Sequence, residues 1–136
     1  MGLEVNMYVK NDTIFTRFKG ELDELTVKEV NRKLKLILEK YNIRNIVFNM
    51  HYLNFMDSSG IGMIIGKYNQ IHDMNGQIVL CEINENIERI VRLSGLLKIC
   101  QLRDTEESAK WFLGLWWKWQ FVLKVKKKIL QMWEIW

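Results

Sequence analysis

The sequence contains no proline, and only two cysteines and two histidines occur among its 136 residues. Because neither proline nor a glycine- or serine-rich linker divides the chain, its length fits a single domain with one core. Cys81 and Cys100 lie in apolar segments and lack the close spacing of a metal site. We therefore expect buried, reduced thiols in a cytoplasmic protein, with a disulfide as the minor alternative. The first residues also lack the basic and apolar regions of a signal peptide.

The scarcity of histidine argues against catalysis. His72 follows Ser58 by about four helical turns, roughly 20 Å at ~1.5 Å per residue, which is too far for a Ser–His hydrogen bond. His51 lies near the end of a predicted strand and would meet Ser58 only through an unforeseen tertiary contact. Residues 57–60 lack the Gly-x-Ser-x-Gly pattern of hydrolases, and no Lys-Ser/Thr pair completes a phosphate loop. We therefore expect no enzyme, no cofactor and no metal site.

Excess positive charge is concentrated at the C-terminal end. The chain has 20 Lys and Arg against 16 Asp and Glu, a formal net charge of +4. Residues 111–136 contain five lysines and one glutamate, so residues 1–110 carry no net charge. The body of the protein therefore lacks the electrostatic footprint that nucleic-acid binding requires.

Hydrophobic periodicity predicts strands that alternate with helices. Residues 3–10 alternate between apolar and polar side chains, as in a half-buried strand, and Asn11-Asp12 predicts a turn into a returning strand. The predicted strands cover residues 3–10, 13–19, 43–50, 77–83 and 97–102. The predicted helices begin near Thr26, Ser58, Asn84 and Thr105. An opening hairpin followed by this alternation predicts an α/β domain, with a mixed β-sheet of four to five strands and four helices.

Several local features refine this prediction. Residues 20–23 read as a loop, and Thr26 with Glu29 three residues later is the pattern of a capping box. The near-continuous apolar run in residues 43–50 predicts a central strand with both faces covered. Gly95 is expected to end the third helix. That helix should turn four apolar side chains toward the core: Ile87, Ile90, Val91 and Leu93.

Residues 54–62 connect the central strand to the second helix and are the most informative stretch of the chain. The helix begins at or next to Ser58, where backbone N–H groups point outward and the helix dipole is positive. Such a position suits a phosphate group. The simpler alternative is that Asp57 or Ser58 only caps the helix.

Three glycines interrupt the second helix. Each weakens an isolated helix by roughly 1 kcal/mol relative to alanine, which predicts a compensating close approach of another group. The sequence leaves open whether that group is the underlying sheet or a docked partner. The three positions are Gly60, Gly62 and Gly66.

Residues 55–62, Phe-Met-Asp-Ser-Ser-Gly-Ile-Gly, resemble the signature of the bacterial anti-sigma factor antagonists, which are small proteins of the STAS-domain family. Residues 20–23 and 93–96 match two further motifs of that family, in its order and at its spacing. The resemblance extends from about residue 3 to about residue 110 and is strongest for the antagonists that act in sporulation. It implies the STAS fold.

The resemblance also implies a function. In this family the unphosphorylated protein binds an anti-sigma factor that is also a serine kinase, and the sigma factor is released. The kinase uses ATP to phosphorylate the first serine of the Asp-Ser-Ser-Gly motif, which is Ser58 here, and a PP2C-type phosphatase reverses the step. Ser59 is the less favoured acceptor, and Asp23 either contacts the kinase or is an ordinary capping carboxylate. The predicted partner-binding residues are Asp23, Asp57, Ser58, Ser59, Gly60 and Gly62.

Residues 111–136 depart from the family, so we assign the STAS domain to residues 1–110 and an aromatic and basic tail to residues 111–136. All six tryptophans lie in this tail. Three interpretations of the tail are open. It is an altered reading frame without selected function, or it is a membrane-surface helix whose lysines face anionic headgroups, or it is a helix that docks a partner. The second interpretation supports an alternative function, a membrane-associated STAS subunit of a transport or lipid-trafficking assembly.

Overall fold

Five strands form one sheet in chain order in a computed structural model of the protein, which describes residues 2–115. The strands are β1 (Leu3–Lys10), β2 (Thr13–Leu22), β3 (Asn45–Met56), β4 (Ile78–Cys81) and β5 (Gln101–Arg103). The helices are α1 (Thr26–Lys40), α2 (Ser58–His72), α3 (Glu85–Ser94) and α4 (Glu106–Phe112), with a 3₁₀ turn at Leu96–Lys98. The predicted α/β class, the strand number and the four helices are confirmed.

The sheet is mixed, because only its first pair of strands is antiparallel. β1 and β2 form the predicted hairpin, and Asn11 supports the turn with a left-handed backbone, φ 56°. The pairs β2–β3, β3–β4 and β4–β5 are parallel. The apolar strand β3 is therefore central, as its composition predicted.

Both faces of the sheet are covered within residues 2–115, one by three helices and the other by a single helix and the residues that follow it. The first face packs against α1, α2 and α3, and its core includes Ile14, Phe48, Leu34, Ile64 and Val91. The second face packs against α4 and the residues after it. Its buried cluster consists of Tyr8, Phe15, Val47, Val79, Cys81, Ala109 and Leu115.

The second face corrects the prediction for β1. Tyr8 and Lys10 were expected on the solvated side of a half-buried strand, but both are only 1% exposed. They are buried because α4 and the residues after it cover that side. Cys81 and Cys100 are buried free thiols on opposite faces of the sheet, and burial raises the pKa of Cys100 to about 12.

Strands β2 and β3 are longer than predicted, and this extension positions the candidate site. Residues 20–22 belong to β2 and were wrongly predicted as a loop. Gly20 permits the extension because its backbone has φ 121°, and a Cβ there would lie 2.2 Å from the carbonyl oxygen of Gly2. Leu22 then pairs with Met56 at the ends of the two parallel strands.

The predicted capping box of α1 is wrong. The carboxylate of Asp23 accepts hydrogen bonds from the backbone N–H groups of Leu25 and Thr26, each at 3.0 Å. The Thr26 hydroxyl donates to the carbonyl oxygen of Glu21 at 2.8 Å. Glu29 instead forms an ion pair with Arg32 at 2.6 Å. The loop before α1 is therefore organised by Asp23.

Helix α3 begins and ends as predicted, but the set of side chains that it turns toward the core differs from the prediction. Asn84 caps it by accepting from two backbone N–H groups, and Gly95 ends it in the left-handed conformation, φ 82°. Ile87 and Val91 are buried, whereas Leu93 is 76% exposed. The inward prediction for Leu93 is wrong, since two helical residues beyond Val91 point to the opposite side of the helix.

The last described residues continue beyond the predicted domain limit at residue 110. Helix α4 extends to Phe112, and Leu115 is completely buried in the cluster on the second face. The rest of the aromatic and basic tail, residues 116–136, lies outside the described residues. No helix within residues 2–115 has the length and apolar character required to cross a membrane.

Candidate functional site

The candidate site lies where β2 and β3 end side by side. The backbone N–H of Asp57 donates to the carbonyl oxygen of Leu22 at 3.2 Å, which ties the two chain segments together. Asp23 follows Leu22 directly, so the parallel pairing brings Asp23 and Asp57 to the same edge of the sheet. The tertiary structure thus brings together two motifs that are more than thirty residues apart in sequence.

Asp57 is the N-cap of α2. Its side chain accepts a hydrogen bond from the backbone N–H of Ser59 at 2.8 Å. Its carbonyl oxygen accepts from the N–H groups of Gly60 and Ile61, at 3.1 and 3.3 Å. The capping role predicted as an alternative is confirmed for Asp57, and it occupies the N–H groups of the first turn beyond Ser58.

Ser58 is the first residue of α2, and its side chain is exposed. Within residues 2–115 its hydroxyl makes no hydrogen bond, so the oxygen is open to solvent. Ser59 is partly buried in the first helical turn. Of the two serines, Ser58 is therefore the more accessible hydroxyl for an incoming reagent.

The glycines of α2 separate into two groups. A Cβ on Gly60 would lie 2.6 Å from Met56 Cγ and 3.0 Å from Leu22 Cδ2, so Gly60 lets the helix approach the ends of β2 and β3. Gly62 and Gly66 are exposed, and a Cβ on either would meet no atom within 4 Å. The sheet accounts for Gly60 alone, and the other two glycines leave a smooth surface on the outer side of the helix.

An apolar groove of about 540 Å³ lies between α2 and α3, with Ser58 at its rim. The residues that line it are Ser58, Ile61, Asn86, Arg89, Ile90, Leu93 and Ser94. Exposed apolar side chains also lie near the ends of β2 and β3, where Leu25 is 76% and Phe55 is 48% exposed. Hydrophobic periodicity did not predict this groove, although the helical position of Leu93 relative to Ile87 and Val91 indicates an exposed apolar side chain.

The charges of the site are mostly negative. Backbone N–H donation from Thr26, with further donation from Leu25, lowers the pKa of Asp23 below its usual value. Asp23 and Asp57 place two carboxylates at this edge of the sheet, and Arg89 is a cationic side chain that lines the groove. A new negative charge on Ser58 would therefore be added next to the Asp57 carboxylate, in a groove that Arg89 also lines.

The two histidines take part in other contacts. His51 packs edge-on against Tyr52 and lies 4.0 Å from the carboxylate of Glu82. His72 is the last residue of α2 and stacks on Tyr68. Within residues 2–115, no group of three or more His, Cys, Asp or Glu side chains could hold a metal ion.

Comparison with known proteins relates this site to a family. The model of the STAS domain matches residues 4–109. A Paenibacillus polymyxa protein described as an anti-sigma F factor antagonist is 33% identical over 109 residues, which are 80% of this chain and 93% of the relative.

Solved structures support the same relationship. The anti-sigma factor antagonist SpoIIAA in its unphosphorylated form superposes with a TM-score of 0.71 at 25% identity, over 82% of this chain and 97% of that chain. The Bacillus cell fate determinant SpoIIAA in its phosphorylated form superposes with a TM-score of 0.62 at 25% identity, over 80% and 97% of the two chains.

Proposed function

This chain belongs to the STAS domain family, among the anti-sigma factor antagonists, and from this premise we propose that it is a switch controlled by phosphorylation of Ser58. The unphosphorylated protein binds an anti-sigma factor that is also a serine kinase, and thereby frees a sigma factor for transcription in sporulation. The phosphorylated protein does not bind, and a PP2C-type phosphatase restores the active form in the cytoplasm. One similar protein is known in both an unphosphorylated and a phosphorylated form, which supports this proposal.

The observation that carries the proposal is the exposed hydroxyl of Ser58 at the start of α2, which makes no hydrogen bond within residues 2–115. The kinase transfers the γ-phosphoryl group of ATP to Ser58 Oγ, the hydroxyl proton passes to a base of the kinase, and ADP leaves. Asp57 holds the first helical turn in place, so the acceptor is presented on a rigid element rather than a mobile loop. Gly62 leaves room for the kinase to approach along the helix.

The effect of the phosphate follows from charge and shape. A phosphoserine adds about −1.5 to −2 charges at neutral pH. These charges would lie beside Asp57 and Asp23, on a surface that a partner meets while Ser58 is a neutral hydroxyl. Repulsion and steric exclusion would then weaken the contact without unfolding the domain. The proposed contact residues are Asp23, Asp57, Ser58, Ser59 and Gly62, while buried Gly60 shapes the surface from beneath.

The decisive experiment incubates the protein with its anti-sigma kinase and ATP and locates the phosphate by mass spectrometry. We expect one phosphate on Ser58, its loss in Ser58→Ala, and its retention in the matched control Ser59→Ala. Calorimetry should show that Ser58→Ala keeps kinase binding, whereas Ser58→Asp weakens it. Phosphorylation of Ser59 in the wild-type protein, or tight binding by Ser58→Asp, would contradict the proposal.

A further inference from the structure

A phosphate on Ser58 would meet backbone N–H groups at the start of α2 that are already engaged from Ser59 to Ile61. The N–H of Ser59 already donates to the Asp57 carboxylate, and those of Gly60 and Ile61 donate to the Asp57 carbonyl oxygen. The Asp57 carboxylate also places a negative charge next to the modified residue. Because the first-turn donors beyond Ser58 are occupied and their cap is anionic, a cation from another element would stabilise the phosphate.

Arg89 is the side chain placed to supply that cation. It lines the same groove as Ser58 and belongs to α3. Within residues 2–115 Arg89 forms no ion pair or hydrogen bond, and its side chain is exposed. Its neighbour Arg92 is different, because it pairs with Glu88 at 3.0 Å. The groove that Ser58 lines is thus also lined by a guanidinium that forms no ion pair within residues 2–115, although Glu85 and Glu88 lie beside it on the adjoining surface of α3.

We propose that Arg89 binds the phosphate of phosphorylated Ser58 across the groove between α2 and α3. This inference rests on the proposed function, since it concerns the same modified serine. A guanidinium offers two parallel N–H donors to phosphate oxygens, a geometry that suits a short bridge between facing helices. The bridge would cover the apolar lining formed by Ile61, Ile90 and Leu93. Phosphorylation then closes the groove as well as adding charge, so a partner that inserts an apolar side chain there is excluded.

The test uses the full chain with phosphoserine inserted at position 58 during translation, so that no kinase is needed. The phosphorus NMR signal is followed from pH 4 to pH 9, and its midpoint reports the second ionisation of the phosphate. A free phosphoserine titrates near pH 6. Because an ion pair favours the dianion, we expect the wild-type midpoint to lie about 0.5 pH below that of Arg89→Gln. Arg89→Lys should fall between the two.

Arg92→Gln is the matched control, because it removes the same charge from the same helix, one turn from Arg89 and outside the groove. Its midpoint should equal that of the wild-type protein. An unchanged midpoint in Arg89→Gln, or equal changes in Arg89→Gln and Arg92→Gln, would overturn the proposal. Failure of the kinase to modify Ser58 would instead count against the proposed function, since the inserted phosphoserine tests Arg89 independently.

Discussion

Asp57 has two roles at the scale of single residues. Its carboxylate caps α2 through the N–H of Ser59, and its charge lies beside the proposed acceptor Ser58. A residue chosen only for capping could equally be asparagine, serine or threonine. The two roles can therefore be separated by substitution.

We predict that Asp57→Ala destabilises the protein by about 1 kcal/mol, because the Ser59 N–H loses its acceptor. Asp57→Asn should cost only a few tenths of that amount, since the amide oxygen retains the cap. Urea unfolding of the two variants and the wild-type protein measures the difference. Equal losses in both variants would show that the charge, and not the hydrogen bond, stabilises this end of α2.

Leu93 shows what a sequence pattern can misjudge at this scale. An apolar residue at the end of an amphipathic helix was assigned to the core, yet its side chain is exposed beside Ser58 and Arg89. The helical stripe through Ile87 and Val91 determines which side is buried, and Leu93 lies off that stripe. Exposure of a large apolar side chain at a groove is typical of a binding surface.

At the scale of elements, α2 has one side that the sheet requires and another that is open. Gly60 meets Met56 and Leu22, whereas Gly62 meets nothing within 4 Å. Both positions carry the same residue, in the same helix, two residues apart. The sequence motif therefore combines a packing requirement with a surface requirement.

We predict opposite effects of alanine at these two glycines. Gly60→Ala should lower the free energy of unfolding by about 1–3 kcal/mol, because the new methyl group overlaps Met56 and Leu22. Gly62→Ala should raise the free energy of unfolding by roughly 0.5–1 kcal/mol, because alanine has the higher helix propensity. The same substitution should weaken kinase binding, because the added methyl group projects from the contact surface. Thermal unfolding and calorimetry measure the two quantities. Destabilisation by Gly62→Ala would refute the description of that side as open.

At the scale of the whole molecule, Glu106 joins α4 to the sheet. Its carboxylate accepts two hydrogen bonds from the Arg17 guanidinium, at 2.7 and 2.9 Å, and one from the Tyr8 hydroxyl at 3.2 Å. Asn49 donates to the same carboxylate and to that of Glu82. Side chains from β1, β2 and β3 thus converge on the first residue of α4, and the second face of the sheet is closed by this polar contact as well as by apolar packing.

The ionised carboxylate of Glu106 should make the free energy of unfolding depend on pH in the acid range. Burial acts to raise the pKa of Glu106, but hydrogen bonds from Arg17 and Asn49 outweigh it and leave the pKa below its usual value. A carboxyl whose pKa is lower in the folded state stabilises the protein above the unfolded-state value of about 4.3. That contribution is lost as the pH falls through the folded-state pKa.

We therefore expect Glu106→Gln to lower the free energy of unfolding by about 2 kcal/mol at pH 7, because the variant loses a charged acceptor for Arg17. The difference from the wild-type protein should shrink below about pH 4. Urea unfolding at pH 7, 5 and 3 measures this trend. Glu85→Gln is the matched control, since Glu85 is likewise the first residue of its helix but is exposed and makes no ion pair within residues 2–115, so its loss should change stability little. A difference that stays constant with pH would contradict the ionic role of Glu106.

The local sequence alone determined most of the elements and several of their ends. The turn at Asn11, the cap at Asp57, the end of α3 at Gly95 and the start of α4 next to Thr105 were predicted, and the structure confirms them. These features depend on backbone preferences and on hydrogen bonds between residues a few positions apart. The family motifs likewise identified the stretch around Ser58, because their residues are contiguous.

Tertiary packing alone decided which of these residues meet. It buried Tyr8 and Lys10, which a half-buried strand would expose, because α4 and the residues after it cover the second face. It placed Arg89 on the groove that contains Ser58, although the two are remote in sequence. Hydrophobic periodicity reports that one side of an element is buried, but contacts between distant segments decide what covers it and which polar groups lie together.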